Sequence, residues 1–315
     1  MNEQFLKDVD AGLSANPKFL SSKYFYDERG DALFVKIMNC PEYYLTDAEH
    51  EIFKDQTAAL VDAFDVKKQK FELVELGAGD GTKTLELLRF LENDYNFSYL
   101  PVDISENALQ KFSGRLKTEV PNVLINPQQG EYFAVLKSLK QITEPKIILF
   151  LGSNLGNLLD ERAHEFVQQL AQSMNVGDKL LLGVDLKKSA DIILPAYNDA
   201  AGFTRDFNLN LLTRINRELD ANFDLSKFNH KPFYNEEEGI AYSFIESQVT
   251  QDVTIKSISK TYHFDKEERI HTEISRKYDD ETIDHIFAKT SLVKKKVFTD
   301  SQNLFADYLF EKEAL

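Results

Sequence analysis

The stretch that decides the fold is Phe71-Glu-Leu-Val-Glu75-Leu-Gly77-Ala-Gly79-Asp-Gly81-Thr-Lys-Thr84. An apolar run ends in three alternating glycines, and a helix-forming sequence follows. A strand that ends in glycines and continues into a helix brings backbone N–H groups close to a bound cofactor, because a Cβ atom at the turn would block that approach. A tight turn without a ligand would need the same glycines, so the loop alone is a weak signal.

The spacing of the glycines indicates which cofactor is bound. A dinucleotide fingerprint has the pattern G-x-G-x-x-G, whereas these glycines alternate as G-x-G-x-G. Glu75, two residues before the first glycine, suits a cationic ligand. Asp103, at the end of the next apolar run, is placed to accept both hydroxyls of a ribose. Together these features resemble the motifs of class I S-adenosylmethionine-dependent methyltransferases.

The composition favours a soluble, reduced enzyme. The chain has 315 residues, enough for one large or two modest domains, and 43% of them are hydrophobic, enough for a core. The single cysteine, Cys40, excludes an intramolecular disulfide framework and a cysteine-based zinc cluster. The histidines show no metal-ligand spacing, so we expect no metal. No signal-peptide core or membrane-spanning stretch is present, and we expect a cytoplasmic protein.

The charge of the chain argues against nucleic acid as a partner. A formal net charge of −15 repels phosphate backbones. The lysine triplet Lys294–Lys296 is typical of a solvated strand edge. We therefore expect a small-molecule substrate, no nucleic acid and no membrane contact. The sequence does not give the oligomeric state, and a monomer is favoured.

The order of the predicted elements indicates an α/β protein. Strand and helix patterns alternate after residue 70, which is typical of a parallel, doubly wound sheet. The predicted strands lie at about 71–76, 97–103, 122–126, 146–152 and 179–185, and the predicted helices at about 82–92, 105–117, 132–140 and 158–172.

After residue 187 the rhythm changes. A helix predicted from Pro195 to about Asn216 precedes alternating, antiparallel strand patterns. A helix, a strand and a helix at about 280–288, 291–298 and 302–310 would then complete the first sheet. We predict one domain of residues 53–187 and 277–315, and a second, inserted α+β domain of residues 188–276 together with residues 1–52.

Two groupings of residues suit ligand binding. In Phe150-Leu-Gly152-Ser-Asn-Leu-Gly-Asn157 a hydrophobic strand ends next to the glycine loop, where open parallel sheets hold ligands. Asn157 can accept a hydrogen bond from an amine and donate one to a carboxylate, and the alternative is a helix cap and turn. Tyr26 and Tyr43 lie in aromatic-rich segments, whose alternative role is a core of amphipathic rings.

Two further groupings lie in the inserted segment. Tyr197 precedes a helical pattern and is a ligand candidate, while Asp199 is expected to cap that helix. Glu273 and Ser275 share one face of an extended strand, and Ile274 lies on the other. Because Ile274 requires burial, the sequence alone favours solvent for the face of Glu273 and Ser275.

Several motifs resemble, in order along the chain, the L-histidine Nα-methyltransferase family of ergothioneine biosynthesis. They are Tyr24-Phe-Tyr-Asp, Pro41-Glu-Tyr-Tyr, Glu75-Leu-Gly-Ala-Gly, Phe150-Leu-Gly-Ser-Asn-Leu-Gly-Asn, Ala196-Tyr-Asn-Asp-Ala-Ala-Gly, Phe207-Asn-Leu-Asn with Asn216-Arg-Glu-Leu, and Thr272-Glu-Ile-Ser-Arg-Lys-Tyr. The resemblance implies a class I methyltransferase fold, Rossmann-like, with a substrate-binding inserted domain. It also implies three methyl transfers from S-adenosylmethionine to the α-amine of histidine, which give hercynine.

The resemblance further implies roles for single residues. The implied cofactor contacts are Tyr26, Gly77, Lys83, Asp103, Glu131 and Tyr132. The implied substrate contacts are Tyr43, Gly152, Asn157, Tyr197, Glu273 and Ser275. Asn157 and Tyr197 would hold the amine and the carboxylate, and Glu273 and Ser275 the side chain. Tyr43 and Asn157 are the predicted catalytic residues, because a phenol oxygen or a bound water must take the proton of the amine in each cycle.

Two departures from the family pattern keep alternatives open. Glu131 stands where the family usually has Asp, which lengthens the arm toward the adenine amine by one methylene. Tyr242, predicted in the substrate-binding pocket wall, stands where bacterial histidine enzymes of the family carry Met. A phenol at that place keeps another, aromatic amino acid open as the substrate. A non-catalytic S-adenosylmethionine-binding module is the remaining hypothesis, although the substrate-side motifs would then have no purpose.

Overall fold

The structure is a computed structural model that describes residues 3–66, 69–79, 81–103 and 106–314. The chain divides into two compact units. The insertion unit comprises Met1–Tyr44 and Lys188–Arg276, and the sheet unit comprises Leu45–Lys187 and Lys277–Leu315. The predicted first boundary, after residue 52, would cut a continuous helix, whereas the units divide at the start of that helix.

Helices and strands alternate over most of the chain. The helices are α1 (Glu3–Ser14), α2 (Glu28–Met38), α3 (Tyr44–Phe64), α4 (Thr82–Leu91), α5 (Glu106–Glu119), α6 (Tyr132–Leu139), α7 (Asp160–Ser173), α8 (Ala190–Ala196), α9 (Phe203–Leu219) and α10 (Asp280–Phe287). The strands are β1 (Lys18–Phe19), β2 (Phe71–Leu76), β3 (Phe97–Asp103), β4 (Leu124–Ile125), β5 (Gln128–Gln129), β6 (Lys146–Phe150), β7 (Lys179–Asp185), β8 (Phe228–Asn235), β9 (Ile240–Ser247), β10 (Gln251–Ile255), β11 (Lys260–Phe264), β12 (Arg269–Arg276), β13 (Leu292–Thr299) and β14 (Phe305–Lys312).

The sheet unit is built on a mainly parallel sheet with the strand order β13-β14-β7-β6-β2-β3-β4. Its parallel strands, β2, β3, β4, β6 and β7, have the spatial order 3-2-1-4-5 of a doubly wound fold. An apolar cluster covers each face, with α3 and α4 on one side and α6, α7 and α10 on the other. The predicted α/β architecture, the Rossmann-like class I methyltransferase fold, is confirmed.

Two predicted elements of this unit differ from the structure. The predicted helix at 302–310 is strand β14, which lies antiparallel between β7 and β13. Phe305–Phe310 are all buried because both faces of the strand meet an apolar cluster. Such a run has no alternation of polarity from which a strand could be recognised. The predicted strand at 122–126 is reduced to the two residues of β4 at the end of the sheet.

The opposite edge of this sheet is β13, which carries the lysine triplet. Lys294 forms an ion pair with Asp284 at 2.7 Å, and Lys295 forms one with Glu313 at 2.6 Å. The predicted solvated strand edge is therefore confirmed. Across the part of the chain that the structure describes, no helix is long and apolar enough to cross a membrane.

The insertion unit has a sheet of its own, in the order β1-β12-β9-β8, and a hairpin of β10 and β11. β9 is antiparallel to β8 and β12, which confirms the predicted antiparallel patterns. α9 packs on β8 and β9 and against α2, and their apolar side chains share a core with those of α1. The helix predicted from Pro195 to Asn216 is split into α8 and α9, because Gly202 adopts a left-handed conformation, with a φ of 79°, directly before α9.

Candidate active site

The glycine loop links β2 to α4 in the sheet unit. Gly77 and Gly79 have positive φ angles of 73° and 55°. A Cβ atom on Gly77 would stand 2.6 Å from the Tyr132 hydroxyl, and one on Gly79 would meet only the Gly77 carbonyl oxygen, at 4.0 Å. The missing Cβ atom at Gly77 thus makes room for the Tyr132 hydroxyl, while the surroundings of Gly79 are open, as the close approach of a nucleotide requires. Asp80, within the predicted loop, lies outside the described residues.

Glu75 does not face a ligand. Its residue is 2% exposed, and its carboxyl accepts hydrogen bonds from the Tyr99 hydroxyl and, at 2.8 Å, from the Thr84 hydroxyl. Burial raises the pKa of Glu75 to about 7, against the effect of these two hydrogen bonds, which lower it. The prediction that Glu75 meets a cationic ligand is wrong. The hydrogen bonds of this carboxyl instead link β2 to β3 and to α4.

Asp103, Glu131 and Tyr132 are brought together next to Gly77. Asp103 ends β3, and the Gly130 N–H donates to its carbonyl oxygen at 3.1 Å. Glu131 is exposed directly before α6, and Tyr132, the first residue of α6, reaches back to the loop. Burial, followed by the carboxylates of Asp103 and Glu131, raises the pKa of Tyr132 to about 12. Two carboxylate acceptors and a neutral phenol thus flank the open loop, a set that fits a ribose and an adenine.

The turn after β6 meets the glycine loop through Asn154. The side-chain amide of Asn154 donates to the Leu151 carbonyl at 2.8 Å. It also lies 3.6 Å and 3.7 Å from the Cβ positions that Gly77 and Gly152 lack. Gly152 is exposed, as is Asn157 at the end of the short 3-10 helix Asn154–Asn157. Sequence reasoning missed Asn154, although its place two residues after Gly152 in the same motif was an available signal.

Lys83 is held by a residue that sequence reasoning also missed. It forms an ion pair with Glu49, whose side chain is 1% exposed. The same carboxylate accepts hydrogen bonds from the Gly152 N–H, at 2.9 Å to Oε1 and 3.1 Å to Oε2. Glu49 lies 103 residues before Gly152 in a helical pattern, where a single acid gives no signal. Lys83 Nζ lies 3.5 Å from the Cβ position of Gly152, and its contact with the cofactor stays a prediction.

Tyr26 and Tyr43 belong to one aromatic group in the insertion unit. The Phe34 ring lies between them, with centroid distances of 5.7 Å to Tyr26 and 6.4 Å to Tyr43. Phe207 of α9 lies 5.6 Å from Tyr26. Tyr26 is 48% exposed and Tyr43 is half-buried. Each ring packs on the core and keeps part of its surface accessible, so both the core alternative and a ligand contact are compatible with these positions.

Glu273 and Ser275 lie on the inner face of the insertion-unit sheet, toward α9. Their cross-strand partners on β9 are Ser243 and Ala241, which are both buried. Ser275 is 8% exposed and Glu273 is half-buried. The prediction of a solvent-facing Glu273 and Ser275 is wrong, because the helices cover this face and Ile274 lies on the outer one.

A β-bulge in β12 brings one more polar residue to the inner face. The pairing register with β9 shifts between His271 and Glu273, which makes Thr272 the extra residue. Thr272 is buried, and its hydroxyl donates to the Asn208 side chain of α9 at 2.9 Å. In a regular strand Thr272 and Glu273 would point to opposite faces, whereas here both point inward.

Tyr242 lies on the outer face of the same sheet. Its cross-strand partner is Ile274, and its ring stacks on Phe233 with a centroid distance of 6.1 Å. The prediction that Tyr242 forms a pocket wall together with Glu273 is therefore wrong. Ser243, the next residue along β9, is the one that lies opposite Glu273 on the inner face.

Tyr197 packs on the inner side of this sheet. It contacts a small apolar cluster that contains Ala241, the cross-strand partner of Ser275. Asp199 accepts hydrogen bonds from backbone N–H groups at the start of α9, including that of Thr204 at 2.7 Å. The prediction that Asp199 caps this helix is confirmed.

The two groups of residues differ in what they can bind. In the sheet unit, the carboxylates of Asp103 and Glu131 and the backbone of the glycine loop suit a nucleoside. One carboxylate, one hydroxyl and several phenols of the insertion unit suit a small ligand with a polar ring and an ammonium group. Among the described side chains, His, Cys, Asp and Glu form no group of three or more that could hold a metal ion.

The fold and the loop define a methyltransferase that uses S-adenosylmethionine as its methyl donor. The chain belongs to the family of S-adenosylmethionine-dependent, histidine-specific methyltransferases, which matches residues 5–312.

Curated relatives support this assignment. The histidine N-alpha-methyltransferase of Mycolicibacterium smegmatis is 34% identical over 299 residues, which cover 95% of this chain and 92% of that protein. The enzyme of the same name from Mycobacterium tuberculosis is 34% identical over 300 residues, with coverages of 95% and 92%. The L-tryptophan methyltransferase of Psilocybe serbica is 29% identical over 308 residues and covers 90% of this chain and 85% of that protein.

Proposed function

We propose that this protein methylates the α-amine of L-histidine three times and forms hercynine. The observation that carries the proposal is the Glu273 carboxylate beside Ser275 on the inner face of the insertion-unit sheet. A carboxylate in a protected position accepts the ring N–H of an imidazole well. The family and the two mycobacterial relatives, which are named for this activity, support the same substrate.

The residues of the sheet unit serve the methyl donor. S-adenosylmethionine supplies an electrophilic methyl carbon, so that an N–C bond forms at the amine while the C–S bond breaks and one amine proton is lost per transfer. Asp103 accepts from the ribose, and Glu131 accepts from the adenine amine. The loop from Gly77 to Gly79, which is open at Gly79, lets the donor approach the backbone. Asn157 orients the amine, because its side chain can both accept and donate.

Tyr43 is the proposed proton acceptor. The amine of a free amino acid is largely protonated at neutral pH, so the Tyr43 oxygen, or a water that it holds, takes a proton before each transfer. After the third transfer the nitrogen has no hydrogen left, and only charge and aromatic faces can hold it, each worth about 0.5–2 kcal/mol. Tyr26, Tyr43 and Tyr197 are the proposed aromatic faces.

A second candidate substrate is another aromatic amino acid. The relative from Psilocybe serbica is named for tryptophan, and an indole N–H can also donate to Glu273. Tyr242 would favour an aromatic substrate only if it lined the substrate pocket. It lies on the outer face of the sheet instead. Histidine is the substrate that the family and Glu273 support together. The cytoplasmic location, the monomeric state and the lack of nucleic-acid and membrane partners stay predictions.

The test compares Glu273→Ala with Glu246→Ala. Glu246 is a matched control, because it lies on β9 of the same sheet, on the outer face, where it pairs with Arg269 at 2.9 Å. Each variant is incubated with S-adenosylmethionine and each standard amino acid, and mono-, di- and trimethylated products are measured by mass spectrometry. Calorimetry with S-adenosylmethionine reports donor binding separately.

We expect Glu273→Ala to lower kcat/KM for histidine. The loss corresponds to on the order of 2–4 kcal/mol of transition-state stabilisation, because the imidazole N–H loses a charged partner. Glu246→Ala should stay within about twofold, and both variants should bind the donor normally. A Glu273→Ala variant whose histidine turnover stayed within about twofold, roughly 0.4 kcal/mol, would contradict the histidine assignment. Faster turnover of tryptophan by the wild type would favour the second candidate, and donor binding without any product would indicate a non-catalytic module.

A further inference from the structure

Two acidic side chains are buried in the sheet unit near the turn after β6, beside a partly exposed lysine. Glu49 of α3 and Asp307 of β14 are 1% and 0% exposed. Lys83 of α4 is the cation of the group and forms an ion pair with Glu49. These three residues are named the Glu49 cluster, and Gly152, which donates its N–H to Glu49, lies directly above them.

Gly183 of β7 makes room for the two acids. Gly183 and Asp307 are cross-strand partners in the sheet. A Cβ atom on Gly183 would stand 2.2 Å from Glu49 Oε1 and 2.9 Å from Asp307 Oδ1. The two carboxyl oxygens therefore approach one point from different elements. Two carboxyls this close, away from water, cannot both be ionised without a large cost.

The two acids differ in their partners. Glu49 has the Lys83 cation and the Gly152 N–H. Neither carboxyl oxygen of Asp307 has a hydrogen-bond partner among the described residues. An unpartnered buried polar group costs about 1–3 kcal/mol, and a proton on Asp307 that is donated to Glu49 would remove that cost. The Glu49 carboxylate would then be held by three donors.

We propose that Asp307 keeps its proton at neutral pH and donates it to Glu49, and that Glu49 is a positioning residue for the methyltransfer site. Glu49 fixes the Gly152 N–H and the Lys83 amine, and neither acid touches the reacting atoms. The inference deepens the proposed function and rests on it, because Gly152 and Lys83 are the proposed contacts of substrate and donor.

The electrostatics of the site agree with this geometry. Burial, and then the charge of Glu49, raise the pKa of Asp307 well above its usual range, while Lys83 lowers it. The other charged pair on this part of β7 is Asp185 with Lys277, at 2.7 Å, and both of its members are fully buried. That pair is compensated internally. Glu49 and Lys83 are therefore the charges that act on Asp307, and both of them also interact with the buried carboxyl of Glu75.

A titration of the wild-type protein tests the proton directly. With aspartate labelled by carbon-13 at the carboxyl carbon, the Asp307 signal is identified as the one that Asp307→Asn removes. We expect this signal to keep the shift of a protonated carboxyl from pH 4 to pH 8. A signal that changes to that of a carboxylate below about pH 7 would overturn the proposal; an ordinary aspartate does so at about pH 4.

Variants test the positioning role through donor binding. Glu49→Gln should weaken binding of S-adenosylmethionine by about tenfold or more, because the ion pair with Lys83 is lost. Asp307→Ala should weaken it by about fivefold, and Asp307→Asn should restore it to within about twofold of wild type, because the amide replaces the protonated acid as donor. Glu51→Gln, on the solvent side of the same helix, is the control.

The comparison of the two Asp307 variants is decisive. An Asp307→Asn protein that bound the donor as poorly as Asp307→Ala would show that a charged Asp307 is needed, and the proposal would fail. Circular dichroism verifies that each variant is folded. Neither the titration nor donor binding requires histidine turnover, so a failure of the proposed function would leave both readouts intact.

Discussion

Glu75→Gln should change how the stability of the protein depends on pH. In the folded state burial raises the pKa of Glu75 from its ordinary 4.5 to about 7. The folded protein therefore holds this proton more tightly than the unfolded chain does. The stability that Glu75 contributes is complete below pH 4.5 and is lost as the pH rises through about 7.

The size of the effect follows from the shift. At about 1.4 kcal/mol per pKa unit, the loss between pH 4.5 and pH 8 amounts to about 3 kcal/mol. Gln does not titrate, so its variant lacks this loss. It does change the hydrogen bonds with Thr84 and Tyr99, which adds an offset of about 1 kcal/mol that is independent of pH.

Urea unfolding of the ligand-free protein, followed by circular dichroism between pH 4.5 and 8, measures the effect. The free energy of unfolding of Glu75→Gln minus that of wild type should rise by up to about 3 kcal/mol over this range. Thr84→Val provides a second check, because it removes a donor that lowers the pKa of Glu75, and it should move the wild-type decline to higher pH. Parallel curves for wild type and Glu75→Gln would refute the argument.

Three further changes test single contacts. Asp103→Ala should weaken S-adenosylmethionine binding by about 1.5–3 kcal/mol in calorimetry, the scale of charge-assisted hydrogen bonds to ribose, and an unchanged affinity in a folded variant would remove Asp103 from the site. Tyr242→Leu should leave kcat/KM for histidine within about twofold, since Tyr242 and Glu273 lie on opposite faces; a loss of tenfold or more would argue against this placement. Asp27→Ala should lower the free energy of unfolding by about 1–2 kcal/mol in urea, because Asp27 caps α2 and pairs with Arg217 at 2.7 Å; equal stability at neutral pH would show that neither contact matters.

The fold was largely predictable because its signals are local. The run from Phe71 to Leu76 followed by glycines marks a buried parallel strand and its turn, and both are present. β14 was not predictable, because a strand covered on both faces is apolar without alternation and resembles a buried helix. Its assignment depends on pairing with β7, which is distant along the chain, as well as with the neighbouring strand β13.

The site was predictable where residues follow strands. Asp103 ends β3 and Gly152 follows β6, so the topology alone brings them to one edge of the sheet with Gly77. Glu49 was missed because its contacts with Lys83 and Gly152 lie 34 and 103 residues away along the chain. Tyr242 was assigned to the wrong face because adjacent residues of a strand face opposite ways. A resemblance that identifies the strand without its exact register cannot distinguish Tyr242 from Ser243.

The bulge at Thr272 makes β12 tolerant of length changes at one point only. Because the bulge absorbs the extra residue, His271 and Glu273 each keep their own pairing with β9. A deletion of Thr272 would remove the bulge and leave His271 and Glu273 in register. A deletion of Ile274 would shift the register beyond it and turn Ser275 to the outer face. If Ser275 binds the substrate as proposed, loss of a residue at Ile274 would alter substrate preference without any substitution of Ser275 itself, whereas loss of Thr272 would not.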